Sequence, residues 1–515
     1  MLRATAALVG ALALGFVLLS VIAAFTIPAA AQERVLRIGL REDPDPLDPT
    51  LGSSYVARVV YAGMCDKLFD VDHKLNIVPQ LATGYEYKDP THLVIRLRPG
   101  VTFQDGEKLD AEAAKATFVR NLTAKGSQRR AEISAVYGID VLDPLTIQLD
   151  LKYPSSPLLA MLTDRSGIMQ APKAMQAEGD KFALHPVCTG PFAFEQRIAE
   201  DRIVLRRYPG YWDSKDIHFD RLIYLPIPNS AIRLANLQAG ALDIVEYILP
   251  TDVAAVEKDP NLKINISNSL GYQGITFNTD NPPGNNTDAA RSALVRRAFE
   301  LAIDRQALIN VVYNGMYIPI AQANTPSSPY YVPSVQPPPR DIEKARALLK
   351  QAGVKLPVHL VLTATNSSDN QQTAQVIQAM TRDAGFEVTI KTVEFASSLQ
   401  AAYSGHFEAY LINFSGRADP DPNTWTFLHT GGVGNYGKYS NPLMDKLLDQ
   451  QRLVTDAGQR RNIYAEVWEQ ERKDMPLIYL WIYKNIVGMR KDIMGFHAVP
   501  DGLIRMQGLY RAPLR

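Results

Sequence analysis

The chain has 515 residues, and 54 basic side chains balance 54 acidic ones, so the formal net charge is zero. Such a chain has no overall field that would draw it to nucleic acid or to an anionic membrane surface. Its two cysteines are too few for a cysteine framework and are not spaced for zinc. Because this length exceeds what one hydrophobic core usually organises, we expect two or three domains.

The first 31 residues have the pattern of an export signal. Arg3 supplies a positive start, residues 6–25 are almost wholly apolar, and residues 29–31 are alanines before a cleavage point at Gln32. We therefore expect a mature protein outside the cytoplasm. The apolar stretch is also long enough to span a bilayer, so an uncleaved anchor is the alternative. No cysteine follows the cut, which counts against a lipid anchor.

The first half of the mature chain predicts strands and short helices in alternation. Apolar residues alternate over 34–40, and a proline–aspartate turn and a helix capped by serines follow. Residues 92–106 and 145–151 have strand periodicity, and a helix is predicted over 109–124 between them. This middle stretch is predicted to form a small α+β unit.

From residue 270 the pattern changes to longer alternations. Strand, helix and strand follow one another with long helices, which is typical of an open α/β sheet with helices on its faces. The predicted strands are 274–279, 358–365, 387–395 and 408–414, and the predicted helices are 293–315, 341–353 and 373–385.

Most motifs that would indicate catalysis or nucleotide binding are absent from the sequence. Residues 432–437, GVGNYG, formally match a dinucleotide loop, but such a loop must open directly into a helix. The next helix is predicted to begin only around Pro442, with Ser440 or Asn441 as its cap. No G-x-S-x-G, H-E-x-x-H, P-loop or C-x-x-C occurs, and the eight histidines are scattered.

The segment GRADPDPNTW places Arg417, Asp419 and Asp421 within five residues. Proline fixes its own φ and pushes the preceding residue out of the α region, so both aspartates are expected on extended backbone. Side chains two positions apart then diverge by about 120°. One carboxylate is expected to face inward and the other to face water, so the two are not expected to share one ion or bond. A surface turn, a catalytic pair, a metal site and a pocket wall all remain open from this segment alone.

An ordered set of segments resembles one family, the large periplasmic solute-binding proteins of ABC importers, family 5, which includes oligopeptide- and dipeptide-binding proteins. The resemblance covers nearly the whole mature chain. The matching stretches are LRIGLREDPDPLDPT, VTFQDGEKLDAEAAKATFVRNL, CTGPFAFE, IVLRRYPGYWD, ANLQAGALDIVE, VRRAFELAIDRQALINVVYNG, FSGRADPD and YSNPLMDKLL.

The resemblance implies an α/β, two-lobed periplasmic-binding-protein (Venus-flytrap) fold with an extra α+β domain on lobe I. A ligand would lie between the lobes, and the chain would cross between them near 269 and 477, where a hinge is expected. The implied division is a signal peptide at 1–31, lobe I at 34–77, 185–268 and 478–515, the extra domain at 78–184 and lobe II at 269–477.

In peptide-binding relatives, the aspartate that matches Asp419 faces the amino terminus of the ligand. Arg417 is a candidate for a ligand carboxylate, because its guanidinium can donate two parallel hydrogen bonds. Such relatives often carry a tryptophan just before the aspartate, whereas this chain has Ser415 and Gly416, a departure that counts against an ordinary peptide ligand. Further candidates by position are Ser53, Ser54, Tyr55, Thr189, Gly190, Asn278 and Trp425, the last with a helix-core role as the alternative.

The implied layout places Cys65 and Cys188 in lobe I, so we expect them to form a disulfide in an oxidising periplasm. The function that the resemblance implies is non-enzymatic: a monomeric receptor that delivers a peptide or peptide-like solute to a permease, without cofactor, metal or nucleic acid. Relatives in the same fold bind oligosaccharides, nickel chelates, opines or aromatic acids, and these ligands stay open. A second class is an exported hydrolase that uses Asp419 and Asp421, which their divergence disfavours.

Overall fold

The computed structural model describes residues 33–513, and the predicted export signal lies outside them. The strands are β1 Val35–Leu40, β2 Phe69–Val71, β3 Ile77–Pro79, β4 Ala82–Asp89, β5 His92–Leu97, β6 Val136–Asp143, β7 Thr146–Leu151, β8 Phe192–Ile198, β9 Arg202–Arg207, β10 Arg221–Pro226, β11 Ile244–Val245, β12 Leu262–Phe277, β13 Ile318–Pro319, β14 Val358–Thr365, β15 Phe386–Val393, β16 Ala409–Phe414, β17 Leu477–Arg490, β18 Ile493–Met494 and β19 Tyr510–Arg511. The α-helices are α1 Tyr55–Met64, α2 Ala111–Thr123, α3 Leu158–Met161, α4 Pro172–Glu178, α5 Ser230–Gln238, α6 Val253–Lys258, α7 Asp288–Arg291, α8 Ala293–Leu301, α9 Arg305–Tyr313, α10 Ile342–Gln351, α11 Ser368–Arg382, α12 Phe395–Tyr403, α13 Asp421–Leu428, α14 Pro442–Arg452 and α15 Ala457–Asp474.

Most of the longer strands join in one mixed sheet, in the order β15-β14-β16-β12-β17-β11-β1-β10-β9-β8, with β13 beside β17. We call β8 to β11 with β1 the β1 half, and β14 to β16 the β16 half. Strands β12 and β17 run through both halves as an antiparallel pair, and their register shifts between Asn268 and Tyr272. The two halves are therefore connected by a pair of long strands with an irregularity in the middle.

Each half of the sheet has its own apolar core. In the β1 half, residues such as Leu36, Ile38 and Val60 are completely buried, as the alternating pattern of β1 predicts. In the β16 half, Leu362 of the parallel strand β14 and Phe299 of α8 are equally buried in one core. The predicted alternation of strand and helix thus yields an α/β sheet with helices packed on it.

A separate antiparallel sheet, in the order β4-β5-β7-β6, forms the predicted α+β unit. Helix α2 contributes Phe118 to the core of this unit, where Ile95 and Ile147 are also completely buried. Asp110 caps the helix by accepting a 2.9 Å hydrogen bond from the amide of Ala113. The predicted extra unit is present, and it supplies part of the site described below.

Cys65 and Cys188 form a disulfide, with sulfur atoms 2.04 Å apart and Cα atoms 4.9 Å apart. The bridge joins the end of α1 to the segment before β8, within the core of the β1 half. In residues 33–513, no helix combines the length and the apolar character needed to cross a bilayer.

Candidate functional site

A cavity lies between the β1 half and the β16 half. Its lining is Glu42, Ser53, Ser54, Tyr55, Gln128, Arg129, Glu132, Arg165, Tyr272, Gly274, Thr276, Phe395, Leu399, Tyr403, Ile412, Asn413, Phe414, Ser415, Arg417, Pro422, Thr426, Phe427, Val433, Gly434, Tyr436 and Leu477.

The proline–aspartate turn after β1 holds the serines of the cavity wall. Asp45 accepts hydrogen bonds from the Ser53 hydroxyl at 3.0 Å and from the Ser54 amide at 3.1 Å. Ser54 then caps α1 by accepting a bond from the amide of Ala57. Tyr55 is fixed by its hydroxyl, which donates to the Gly502 carbonyl at 2.7 Å. The three residues predicted from lobe I thus face the cavity from a rigid turn.

Four arginines gather at one end of the cavity: Arg58, Arg129, Arg165 and Arg417. We call them the arginine cluster. Three of them line the cavity directly, while Arg58 lies behind and donates a 3.1 Å hydrogen bond to the Ser415 hydroxyl. All four side chains are buried or nearly so. Because removal of a guanidinium from water is costly, each one needs a nearby negative charge.

Two carboxylates accompany the arginine cluster. Asp164 pairs with Arg58 at 3.0 Å and also with Arg417, and Glu132 pairs with Arg129. Four positive groups and two negative groups leave a net charge of two positive. Burial and the nearby Arg58 lower the pKa of Arg417 to about 9, although Asp164 opposes this. The local field therefore favours an additional anion at this end of the cavity.

The loop before α13 fixes the position of Arg417. The amide of Arg417 donates to Asn423 Oδ1 at 2.8 Å, and Asn423 Nδ2 donates back to the Arg417 carbonyl at 3.0 Å. Gly416 has φ +68°, and a Cβ at this position would collide with the Leu270 carbonyl. This close approach explains why a glycine stands here. Among the described residues, Nη2 of Arg417 has no hydrogen-bond partner.

The structure places the two aspartates of this segment outside the cavity lining. Asp419 accepts hydrogen bonds from both terminal nitrogens of Arg460, at 2.8 and 2.7 Å. Asp421 accepts from Arg452 at 2.7 and 2.8 Å. The two carboxylates diverge to separate arginines, as predicted.

Two details of the prediction for this segment were wrong. Asp421 is the first residue of α13, not extended, because Pro422 occupies the first turn of a helix, where its missing N–H costs nothing. Neither carboxylate faces water: the side chain of Asp419 is 10% exposed and that of Asp421 is 1% exposed.

Four other candidates also lie outside the lining. Thr189 is completely buried, and Gly190 packs so closely on the backbone of Met64 that a Cβ would collide with it. Asn278 donates to the carbonyls of Asn281 and Phe407, at 2.7 and 2.9 Å. Trp425 stacks on His429, with ring centroids 4.1 Å apart, and carries the Arg452 guanidinium 4.0 Å above its ring. Their assignment to ligand binding remains a prediction, and these contacts support structural roles.

Two parts of the lining were not anticipated from the sequence. One is an aromatic wall from the β16 half, formed by Phe395, Tyr403, Phe414, Phe427 and Tyr436. The loop that contains GVGNYG contributes to this wall, and α14 begins at Pro442 with Asn441 as its cap, as predicted.

The other part is Glu42, directly after the carboxyl end of the parallel strand β1. Ligands of open α/β sheets often bind at such strand ends, so this position carried a usable signal. The residue is 5% exposed, and its carboxylate makes no hydrogen bond to the described residues. Burial raises the pKa of Glu42 to about 7, although Arg41 opposes the shift. The only other carboxylate in the lining, Glu132, is already paired.

The arrangement can hold a solute that carries charge, aromatic or aliphatic surface and hydrogen-bonding groups. Asp419 and Asp421 do not form a catalytic pair with each other, because each is paired with a separate arginine. Within residues 33–513, no group of three or more His, Cys, Asp or Glu residues could hold a metal ion.

A two-lobed α/β clamp with a charged cavity between its halves defines a solute-binding protein. The family model "Bacterial extracellular solute-binding proteins, family 5 Middle" matches residues 76–435. The chain belongs to this family, whose members are transport-binding proteins and not enzymes. It is 30% identical to the glutathione-binding protein GsiB of Salmonella paratyphi A, over 94% of this chain and 95% of that protein.

Solved structures show the same fold. The periplasmic binding protein DppA of Helicobacter pylori, in complex with the peptide STSA, is 25% identical and aligns with a TM-score of 0.84, over 93% of this chain and 98% of that chain. The murein tripeptide binding protein MppA of Escherichia coli is 19% identical, with a TM-score of 0.87 over 94% and 99% of the two chains.

Proposed function

We propose that this protein is the extracytoplasmic receptor of an ABC importer and binds a small peptide or peptide-like solute in the cavity. The observation that carries the proposal is the charge of the cavity. An arginine cluster with a net positive charge and a carboxylate without hydrogen bonds, Glu42, face the same enclosed space. A solute with both a carboxylate and an amino group matches this arrangement.

The carboxylate of the solute would bind at Arg417. Asn423 holds the backbone of this residue, and Asp164 and Ser415 hold its guanidinium, so the free Nη2 is oriented before the ligand arrives. A preorganised guanidinium loses little entropy on binding, and hydrogen bonds between charged partners are among the strongest in proteins. Ser53 and Ser54 offer hydroxyl groups to the polar middle of the solute, and the aromatic wall offers apolar surface.

The names of similar proteins suggest the first ligands to test. The relative GsiB is named for glutathione, and solved structures of the same fold hold short peptides, agropinic acid or nickel with L-histidine. Each of these ligands contains a carboxyl group, which the arginine cluster can bind. Glutathione and short peptides are therefore preferred over neutral oligosaccharides.

The remaining expectations belong to the same proposal. The protein would be exported by its N-terminal signal, act in the periplasm as a monomer without enzymatic activity, and present its ligand to a permease. The proposed lobes keep the ranges given above, with the irregular middle of the β12–β17 pair as the hinge. Asp419, Arg417, Ser53, Ser54 and Tyr55 remain ligand-binding candidates from the sequence, and the contacts support the last four.

Native mass spectrometry of the freshly purified protein tests the proposal. We expect a bound solute of a few hundred daltons, released by unfolding, and calorimetric binding of glutathione or a short peptide to the refolded protein. The variant Arg461→Ala, in which an exposed arginine outside the cavity lining is removed, should retain the solute. Retention of a neutral sugar, or no binding of any carboxylate-bearing solute, would contradict the proposal.

A further inference from the structure

A second, smaller cavity adjoins the main one. Glu42 and Asn413 line both of them, so the two spaces meet at these side chains. The smaller cavity continues past Glu42 among Tyr247, Tyr313, Tyr317, Trp481 and Tyr483, with Asp369 also in its wall. We call it the tyrosine pocket.

The charges around the tyrosine pocket have the opposite sign to those of the arginine cluster. Three carboxylates, those of Glu42, Glu246 and Asp369, are near two guanidiniums, those of Arg41 and Arg233. The sum is one negative charge.

Two cations lie near the pocket, and one of them, Arg41, is part of its lining. Arg41 lies 3.7 Å from Glu246 and stacks over the Tyr55 and Tyr247 rings. Arg233 donates to the Tyr247 carbonyl at 3.0 Å. Glu42 therefore remains a buried acid without a hydrogen-bonding partner at the mouth of the pocket.

The size and lining of the pocket suit one kind of group. The pocket has room for little more than one water-sized group. Aromatic faces attract cations, and two of the hydroxyls, those of Tyr247 and Tyr317, already bond to each other at 2.6 Å. An ammonium group is about the size of water, whereas a guanidinium or a trimethylammonium is larger.

We propose that the tyrosine pocket is the site of the ligand's ammonium group, with Glu42 as its counter-charge in place of Asp419. Asp419 is committed to Arg460 and does not line either cavity. Asp369 adds negative charge deeper in the pocket. This inference rests on the proposed function, because it names the place of one group of the proposed solute.

The first experiment needs no peptide. Thermal unfolding is followed in methylammonium chloride and in tetramethylammonium chloride at equal concentration, since only the smaller cation fits the pocket. We expect methylammonium to raise the melting temperature of the native sequence more than tetramethylammonium does. This difference should be lost in Glu42→Gln, reduced in Asp369→Asn, and kept in Asp419→Asn and in the exposed control Glu86→Gln. Equal effects of the two salts on the native sequence would overturn the inference.

The second experiment uses glutathione and trialanine with their N-acetylated forms, which lack the ammonium group. The native sequence should bind each free amine at least about 30-fold more tightly than its acetylated form. Glu42→Gln should remove this preference without weakening the acetylated form. A preference that persists in Glu42→Gln, or disappears in Asp419→Asn instead, would overturn the inference. If no peptide binds, the proposed function fails and the methylammonium result alone decides the ammonium site.

Discussion

Asp419 and Arg460 form a buried ion pair in which both terminal nitrogens of the guanidinium donate to the carboxylate, at 2.8 and 2.7 Å. The partners come from the loop before α13 and from α15, 41 residues apart. The pair ties α15 to the segment that presents Arg417.

Replacement of Asp419 by asparagine should mainly destabilise the protein. The change leaves the Arg460 guanidinium buried without its counter-charge, which typically costs about 3–5 kcal/mol of unfolding free energy. Denaturant unfolding measures the loss, and the exposed variant Glu86→Gln is the matched control. Calorimetry on the folded Asp419→Asn protein should give a peptide affinity within about 2-fold of the native value. Lost affinity at unchanged stability would instead support a direct contact with ligand.

Replacement of Arg417 by alanine should mainly impair binding. We expect a loss of about 2–5 kcal/mol in the binding free energy of a peptide with a free carboxylate, because the anion would lose a desolvated partner. The same variant should bind the amidated peptide about as well as the native protein does. Titration of both peptides against Arg417→Ala and the exposed control Arg461→Ala measures this. An equal loss for the two peptides would show that Arg417 does not bind the carboxylate.

Glu42→Gln should stabilise the ligand-free protein at high pH. Burial raises the pKa of Glu42 from its ordinary 4.5 to about 7, so the native state holds a proton that the unfolded state releases. Ionisation of this buried acid lowers the free energy of unfolding. The loss is absent below pH 4.5, grows between pH 4.5 and 7, and is complete above pH 7. The difference in pKa corresponds to about 3 kcal/mol.

Denaturant unfolding at pH 4 and pH 8 measures this cost. The gain in stability from Glu42→Gln should appear at pH 8 and vanish at pH 4. The groups that face Glu42, namely Arg41, Arg233, Glu246 and Asp369, are the same in both proteins, so their contributions largely cancel. A gain that is equal at the two pH values would mean that Glu42 is not a buried, unpaired acid.

Ligand should close the two halves on each other. Arg417, which follows β16, pairs with Asp164, and Tyr403 of α12 donates to Gln128 at 3.3 Å. Asp164 and Gln128 belong to the proposed extra domain, so the structure already contains contacts across the cavity. Protein stripped of ligand should lose such contacts and expand. Small-angle scattering should show a smaller radius of gyration after glutathione or a peptide is added. An unchanged radius with demonstrated binding would contradict closure.

Local sequence patterns predicted the elements well and the charged partners poorly. The alternation in β1 and the cap of α14 at Asn441 are local signals, and the structure contains both. The partner of Asp419 is different: nothing near Arg460 in the sequence indicates which acid it meets, because the fold brings α15 to the loop. The aromatic wall likewise combines residues from several elements, each of which resembles an ordinary core residue.

Glu42 shows a further limit of sequence analysis. In the sequence it is one of four acids between residues 42 and 48, and charge alone does not distinguish it from Asp45. Only the folded geometry shows that Asp45 accepts hydrogen bonds from Ser53 and Ser54, whereas the Glu42 carboxylate accepts none from the described residues. Glu42 and Asp45, three residues apart, therefore differ in their hydrogen-bond partners and not in their charge.

A crystal structure of the protein with its bound solute tests the central claim most directly. We predict a ligand in the main cavity, with a carboxylate at Arg417 and an ammonium group beside Glu42 at the mouth of the tyrosine pocket. The Asp419–Arg460 pair should remain intact in that complex. A ligand whose amino group binds Asp419 after displacing Arg460, or a ligand bound elsewhere with an empty main cavity, would contradict the account.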